Sequence, residues 1–468
     1  AAKAATIVGR IEILPVLRHR ELKAPAENAP GNANATTQRP ELMNALHTLS
    51  AVEAARQMAQ RTLSAGDYAR GCIERIAERE PVIGAFAHYD AQHVLAQAHA
   101  LDAGAIRGPL HGLLVGVKDI FDTYDMPTEY GSAVYRGHHP AADAAVVALT
   151  RHLGGIIAGK TVTTEFATFP AGKTRNPRNP AHTPGGSSSG SAAGVADGMF
   201  PLAFGTQTAG SVIRPAAYCG ITGYKPSFGV LARGGVKTGS DTLDTVGLFA
   251  RSVEDAAFFI AALTRRPDLR FEPWKGATPR IGICKGYQWT RVQPEMVAAM
   301  ERAAAALASA GAVVKEVTLP ARFEGMAMAQ ATVMSYEGGA NRADDVLRHA
   351  DKMDPRLAEQ CRKGLAVAGK DYVAALALAQ ECRARLPDAF GDCDVLLAAA
   401  APGEAPEGLA YTGDPIMNAV WTLLYTPCVS VTAGTGPKGL PVGLQVVGRI
   451  DDDARTLAAW GIDFVKAD

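Results

Sequence analysis

An α/β fold, with helices covering a largely buried sheet, is what this sequence predicts, and two stretches carry the prediction. Residues 281–317 read strand, helix, strand: apolar Ile281 to Cys284, then Pro294 to Ala310 with Val297, Met300, Ala304 and Leu307 on one helical face, then Val313 to Val317. Residues 143–157 repeat the alternation, with Asp143 placed to cap a helix through Val146, Leu149 and Leu153 and Ile156-Ile157 following as a strand. Strands buried on both faces need helices as cover, which this alternation supplies.

In chain order, residues 1–42 lack periodicity: Glu21 to Pro40 offers Pro, Ala and Asn without an apolar repeat, and reads as an N-terminal arm ahead of a single domain, 43–468. From Leu49 to about Ala103 the pattern is helical, opened by the capping box Ser50–Glu53. Leu113 to Phe121 is an apolar run short enough for a buried strand. With 47% hydrophobic and 20% charged residues among 468, the chain has the material for a packed core. Its 47 basic residues equal its 47 acidic ones, so no overall field attracts nucleic acid or an anionic membrane. No uncharged apolar run approaches the roughly 20 residues that span a bilayer, and no secretory signal is recognised; a cytoplasmic protein is expected. The seven cysteines, at 72, 219, 284, 361, 382, 393 and 428, show no C-x-x-C spacing and read as buried thiols in a reducing compartment.

Two short motifs match a pattern and fail its context. Gly154 to Thr161 fits G-x-x-x-x-G-K-T, but a phosphate-binding loop follows a strand and opens a helix, whereas a helix ends here at Leu153 and Ile156-Ile157 lies inside the supposed loop. Gly186 to Gly190 fits G-x-S-x-G with Ser188 as nucleophile, yet its approach through Pro177, Pro180 and Pro184 is loop where the nucleophile elbow needs a strand. Downstream there is only His349 for a triad. With His138-His139 in a Gly/Pro loop, a zinc site lacks support; no metal and no cofactor are expected.

One constellation survives. Ser187 lies in a Gly/Ser run that continues into small residues as far as Gly198, then apolar Pro201 to Phe204, then Gly205 to Ser211. A ten-residue helix carries the chain about 15 Å away and a five-residue strand about 16 Å back, so Ser187 and Ser211 can meet; a flexible linker is the alternative. Lys118 sits in the apolar strand, where its neighbour Asp119 points to the other face and burial pushes the amine pKa down. At an ordinary pKa only about one amine in 2,500 is neutral at pH 7, so work as a base demands that desolvation. A lysine in an apolar strand is more commonly structural.

These residues stand in a pattern that resembles the amidase signature family. The matching text is His111-Gly112 with Gly116 to Asp119, Gly159 to Thr161 with Glu165 to Ala167, Arg175 to Pro177, Gly185 to Ser188, Gly205-Thr206, Gly210-Ser211, Cys219-Gly220 and Lys225-Pro226. Thr426-Pro427 and Gly439 to Gln445 extend it. The match is dense over a core, 109–250, and a C-terminal block, 415–449, and thin over a variable region, 265–410. The resemblance implies a large mixed sheet between layers of helices and a Ser-Ser-Lys triad: Ser211 nucleophile, Ser187 bridge on a cis peptide after Gly186, Lys118 neutral base. Backbone N–H groups of Thr208, Ala209, Gly210 and Ser211 would form the oxyanion hole. Two positions depart from the family pattern: Gln207 stands where many members have Asp, and Arg214 falls one residue later than the usual Ser-x-Arg.

The activity implied is hydrolysis of a small or aryl carboxylic amide through an acyl-enzyme. Carbamate or urea-type C–N hydrolysis is the alternative, and the A subunit of glutaminyl-tRNA amidotransferase is a third reading. The expected partner is a small-molecule amide or carbamate, with a homo-oligomer allowed. Tyr130, Gln207, Trp421 and Tyr425 are candidate pocket residues, the aromatic ones equally readable as core packing.

Overall fold

The computed structural model describes residues 46–459, so the predicted arm, 1–42, lies outside the described residues. Eleven strands pair into one mixed sheet: β1 (Phe86–His88), β2 (Leu114–Lys118), β3 (Ile156–Thr161), β4 (Leu202–Gln207), β5 (Thr222–Lys225), β6 (Thr245–Ala250), β7 (Arg280–Cys284), β8 (Val313–Val317), β9 (Val395–Ala399), β10 (Cys428–Thr435) and β11 (Pro441–Val447). Their order across the sheet is β1-β3-β2-β4-β6-β5-β10-β11-β9-β7-β8. Two parallel patches, β3-β2-β4 and β9-β7-β8, flank an antiparallel middle. Every residue of β2, β3, β4, β5, β6, β9 and β11 is buried, which requires cover on both faces. The edge strands β1 and β8 are partly exposed. The predicted α/β class is observed, and the variable region contributes β7, β8 and β9 to the same sheet.

The helical lead-in resolves into Ala51–Ala59, Ala65–Ile83 and Ala91–Asp102, with β1 inserted between the last two. Ser50 caps the first, its Oγ accepting from the Glu53 N–H at 3.0 Å; the Glu53 carboxylate turns to Arg56 and Gln57 instead of completing the box. Asp143 does not cap its helix, Ala145–His152. The chain enters that helix at Ala144 without a side-chain cap, and Asp143 is taken up elsewhere, pairing with Arg151 at 3.0 Å and accepting from the Tyr124 N–H at 3.1 Å. Helix Pro294–Ser309 buries Met296, Ala299, Met300, Ala303 and Leu307, so the predicted face is turned by about one residue: Val297 and Ala304 sit at its rim.

The small residues of 189–196 have a packing reason. Helix Ser189–Ala196 is buried along almost its whole length, and a Cβ on Gly190 would lie 2.0 Å from the Ala85 carbonyl oxygen and 2.4 Å from the Val162 nitrogen. Phe200 occupies the space that side chains at Gly116 and Gly194 would need, at 2.6 and 2.1 Å. This close packing sets the helix against β2, β3 and β4. The run before it, 185–188, therefore lies beside the C-terminal ends of β2 and β4. Residues 156–161 of the P-loop lookalike are strand β3, so no phosphate cradle exists there.

Candidate active site

Lys118 ends β2, and β4 runs parallel beside it with Val117 paired to Phe204. That register sets Thr206 next to the lysine. Lys118 is fully buried, and its Nζ bonds Ser187 Oγ at 2.7 Å and Thr206 Oγ1 at 2.8 Å. Among the described residues no carboxylate pairs with it; Asp119 pairs instead with Lys160 of β3 at 3.1 Å, as the strand alternation predicts. Burial drives the Lys118 pKa from 10.5 down to about 7; Asp244 opposes that shift and Arg214 adds to it. A substantial neutral amine at neutral pH, in contact with a serine hydroxyl, has the character of a general base.

Ser187 is buried, and the Gly186–Ser187 peptide is cis. Arg214, whose role the sequence leaves open, holds the carbonyl of that peptide: its Nη2 donates to Gly186 O at 2.6 Å. Ser188 is buried with its hydroxyl against the backbone of Thr206 at 3.4 Å, out of reach of a substrate.

After β4 the chain turns through Thr208, Ala209, Gly210 and Ser211 before helix Ile213–Cys219. The carbonyls of this turn are tied outward. Gln330 donates to Thr208 O, Thr422 to Ala209 O, and the Arg214 N–H to Gly210 O, at 2.9, 2.8 and 3.0 Å. None of the N–H groups of 208–211 donates to an acceptor among the described residues. A run of unpaired N–H groups beside a cavity is a ready site for a developing negative oxygen. Gly210 suits the tight passage, since a Cβ there would lie 3.0 Å from both Asn418 Nδ2 and Pro415 Cβ. Ser211 is half-buried, lines the cavity and makes no hydrogen bond among the described residues. Its hydroxyl has no competing partner to leave before engaging Ser187 or a substrate.

The cavity holds about 440 Å³, room for a small organic ligand. Thr206, Thr208, Ser211, Arg214 and Asp244 line one part of it, and Met334, Arg342, Leu357 and Cys361 line another. The second group comes from the variable region, where the sequence carries no diagnostic text. Asp244 braces the site: it accepts from Thr208 Oγ1 at 2.6 Å and from the Gly239 and Ser240 N–H groups.

None of the four candidate pocket residues lines this cavity. Gln207 is fully buried; its Oε1 accepts from the Val212 and Ile213 N–H groups at 2.9 and 3.0 Å, capping the helix after Ser211. An amide oxygen there does the work of a capping carboxylate without adding charge. Tyr130 is buried with its hydroxyl on Asp122. Trp421 faces a second, smaller cavity with Phe323 and Val420. Tyr425 stacks on Phe228 at 4.3 Å beneath the Arg383 guanidinium. The residues that do build the site and escaped sequence reading are Thr206, Asp244, Gln330 and Arg342. Thr206 belongs to the Gly205-Thr206 signature pair, and the parallel β2-β4 pairing is what gives it a role. All seven cysteines are buried free thiols, and no group of three or more metal-ligating side chains occurs among the described residues. Nor is any described helix long and apolar enough to cross a membrane.

The family model for amidases matches residues 67–457, and this chain belongs to that amidase signature family of C–N-cleaving enzymes. Among curated relatives it is 32% identical to the A subunit of glutamyl-tRNA(Gln) amidotransferase from Nitratidesulfovibrio vulgaris strain DP4, over 90% of this chain and 97% of that one. It is 34% identical to the corresponding protein of Acidothermus cellulolyticus, over 88% and 93%. Among solved structures, one described as an amidase superposes with a TM-score of 0.82 at 29% identity, covering 88% of this chain and 99% of that one.

Proposed function

We propose that the protein hydrolyses a small carboxylic amide through an acyl-enzyme on Ser211, with Ser187 as proton bridge and Lys118 as base. The observation that carries this reading is the buried Lys118 amine, bonded to Ser187 at 2.7 Å, unpaired with any described carboxylate and with its pKa lowered to about 7. Lys118 takes the Ser187 proton as Ser187 takes that of Ser211, and Ser211 Oγ bonds to the amide carbon. The carbonyl oxygen becomes an anion on the N–H groups of 208–211. The relay then returns the proton to the amide nitrogen, the C–N bond breaks, and amine or ammonia leaves. Water enters by the same route, giving the acid and free enzyme. Ser211→Ala should lose at least about a thousandfold in kcat, and a fluorophosphonate should label the parent at Ser211 alone. Full hydrolysis by Ser211→Ala would refute the scheme.

A carbamate is open to the same attack, and the ratio of rates on an anilide and its matching aryl carbamate distinguishes the two. The amidotransferase reading has the named relatives in its favour. The turn Ser211-Val212-Ile213-Arg214, which departs from the usual Ser-x-Arg, stands against it. Amidase activity of the chain purified without partners supports the first reading; ammonia release only with partner subunits supports the second.

A further inference from the structure

Between β9 and helix Ile416–Leu423 the chain runs along the cavity as a loop tied at its two ends and not between them. At one end His182 Nδ1 bonds Ala405 O at 2.8 Å, the Thr183 N–H donates to Pro406 O at 3.1 Å and the Gly408 N–H to Ala181 O at 2.8 Å. At the other, Asp414 pairs with Arg291 at 2.7 Å and accepts from the Ile416 N–H at 3.0 Å. From Leu409 to Gly413 no backbone N–H or C=O makes a hydrogen bond among the described residues. A stretch with no backbone bonds to break moves at low cost. Glycines stand at both of its limits with left-handed backbone, Gly408 at φ +87° and Gly413 at φ +84°. A Cβ at Gly408 would meet nothing within 4 Å, so conformation alone asks for glycine there.

Ala410, Tyr411, Thr412 and Gly413 all line the cavity. Tyr411 is 57% exposed, and its side chain makes no hydrogen bond and no ring contact among the described residues. A ring that lines a cavity while more than half exposed stands at its opening, where an occupant can cover it. Thr412 Oγ1 accepts from Arg214 Nη2 at 3.4 Å, and the same nitrogen holds Gly186 O, so the loop touches the support of the peptide that carries Ser187. Pro415, just beyond, packs against Gly210, where a Cβ would lie 3.0 Å from its ring. The loop therefore stands beside Ser211, the residue that keeps the acyl part once the amine has left.

We propose that Leu409 to Gly413 form a strap that closes on the bound acyl part, with Tyr411 as a specificity-determining residue that covers an apolar, aryl-bearing end reaching the cavity opening. Acyl groups too short to reach Tyr411 gain nothing from the strap. Closure also keeps bulk water from the carbonyl oxygen held by the N–H groups of 208–211. This inference rests on Ser211 as nucleophile.

The test compares the labelling rates of the full-length protein by ethyl and 4-phenylbutyl fluorophosphonates, whose carbon chains take the place of a short and a long acyl part. Tyr411→Ala should lower the ratio of phenylbutyl to ethyl rates about tenfold, with the ethyl rate within about twofold of the parent, and Tyr411→Phe should keep the parent ratio. Hydrogen exchange at the amides of 409–413 should slow at least about tenfold in the phenylbutyl adduct and stay unchanged in the ethyl adduct. A ratio unchanged by Tyr411→Ala, an equal slowing of both probes, or exchange that is the same in both adducts and the unlabelled protein overturns the proposal. Labelling of the parent with an unchanged ratio removes the role of Tyr411 and keeps the nucleophile. No labelling of the parent by either probe refutes Ser211 as nucleophile and the strap's role with it.

Discussion

Activity should collapse on the acid side of neutrality because one amine must be neutral. The Lys118 pKa falls from 10.5 to about 7. At the ordinary value roughly one amine in three thousand is free at pH 7, and at the shifted value about half are, a gain of about three orders of magnitude in competent enzyme. Measured as kcat/KM against pH, the rate should fall about tenfold per unit below a midpoint near 7 and flatten above about pH 8. The same shift has a stability side. The unfolded amine holds its proton up to about 10.5 and the folded one releases it at about 7, so between these values the unfolded chain binds the extra proton and stability rises with pH. Below about 7 the penalty is complete, roughly 5 kcal/mol at about 1.4 kcal/mol per pH unit. Lys118→Met should therefore abolish turnover while raising the midpoint of denaturant unfolding at pH 6, a net gain of about 1–3 kcal/mol after losing the bonds to Ser187 and Thr206. A kcat/KM profile flat from about pH 5.5 to 8, or a methionine variant that is both inactive and much less stable, would refute the reasoning.

The acid limb should also move with the charges around it. Asp244→Asn removes a field that favours the ammonium and should shift the limb to lower pH, while Arg214→Met should shift it higher, both read from the same profile. Gln207→Leu strands the Val212 and Ile213 N–H groups and should cost about 2–4 kcal/mol in urea unfolding. Gly190→Ala, whose Cβ would overlap the Ala85 carbonyl and the Val162 nitrogen, should destabilise by about 3 kcal/mol or more, seen as a lowered Tm. Native protein should leave Ellman's reagent unreacted until denaturant is added, since all seven thiols are buried and burial pushes those of Cys72, Cys219 and Cys284 up to about 12.

The α/β class was legible because it rests on short-range rules, whereas the pairing of Lys118 with Ser187 was implied only by the resemblance to the amidase signature family. Apolar runs bounded by turn residues mark strands, alternation turns Asp119 away from Lys118, and a helix-strand return carries 211 back toward 187. The phosphate-loop lookalike could be dismissed on the same ground, since Ile156-Ile157 reads as strand. Partner choice among buried polar groups was not legible. Asp143 goes to Arg151 and the Tyr124 N–H and leaves its own helix uncapped, and Gln207 turns inward to cap the helix after Ser211, because buried polar groups take the partners within reach and reach is set by the fold. Nor could the aromatic residues be sorted: Trp421 lies near the site in the signature text but faces another cavity. Part of the cavity wall comes from helices Met326–Asn341 and Pro355–Leu365, more than a hundred residues downstream of Ser211. The sequence by itself thus determined which residue types occur with the spacing for amide chemistry. Only the tertiary structure decided that, among the described residues, Lys118 has no carboxylate partner, the amides of 208–211 are unpaired and Arg214 makes no ion pair, because desolvation and vacancy belong to packed neighbours and have no local signature.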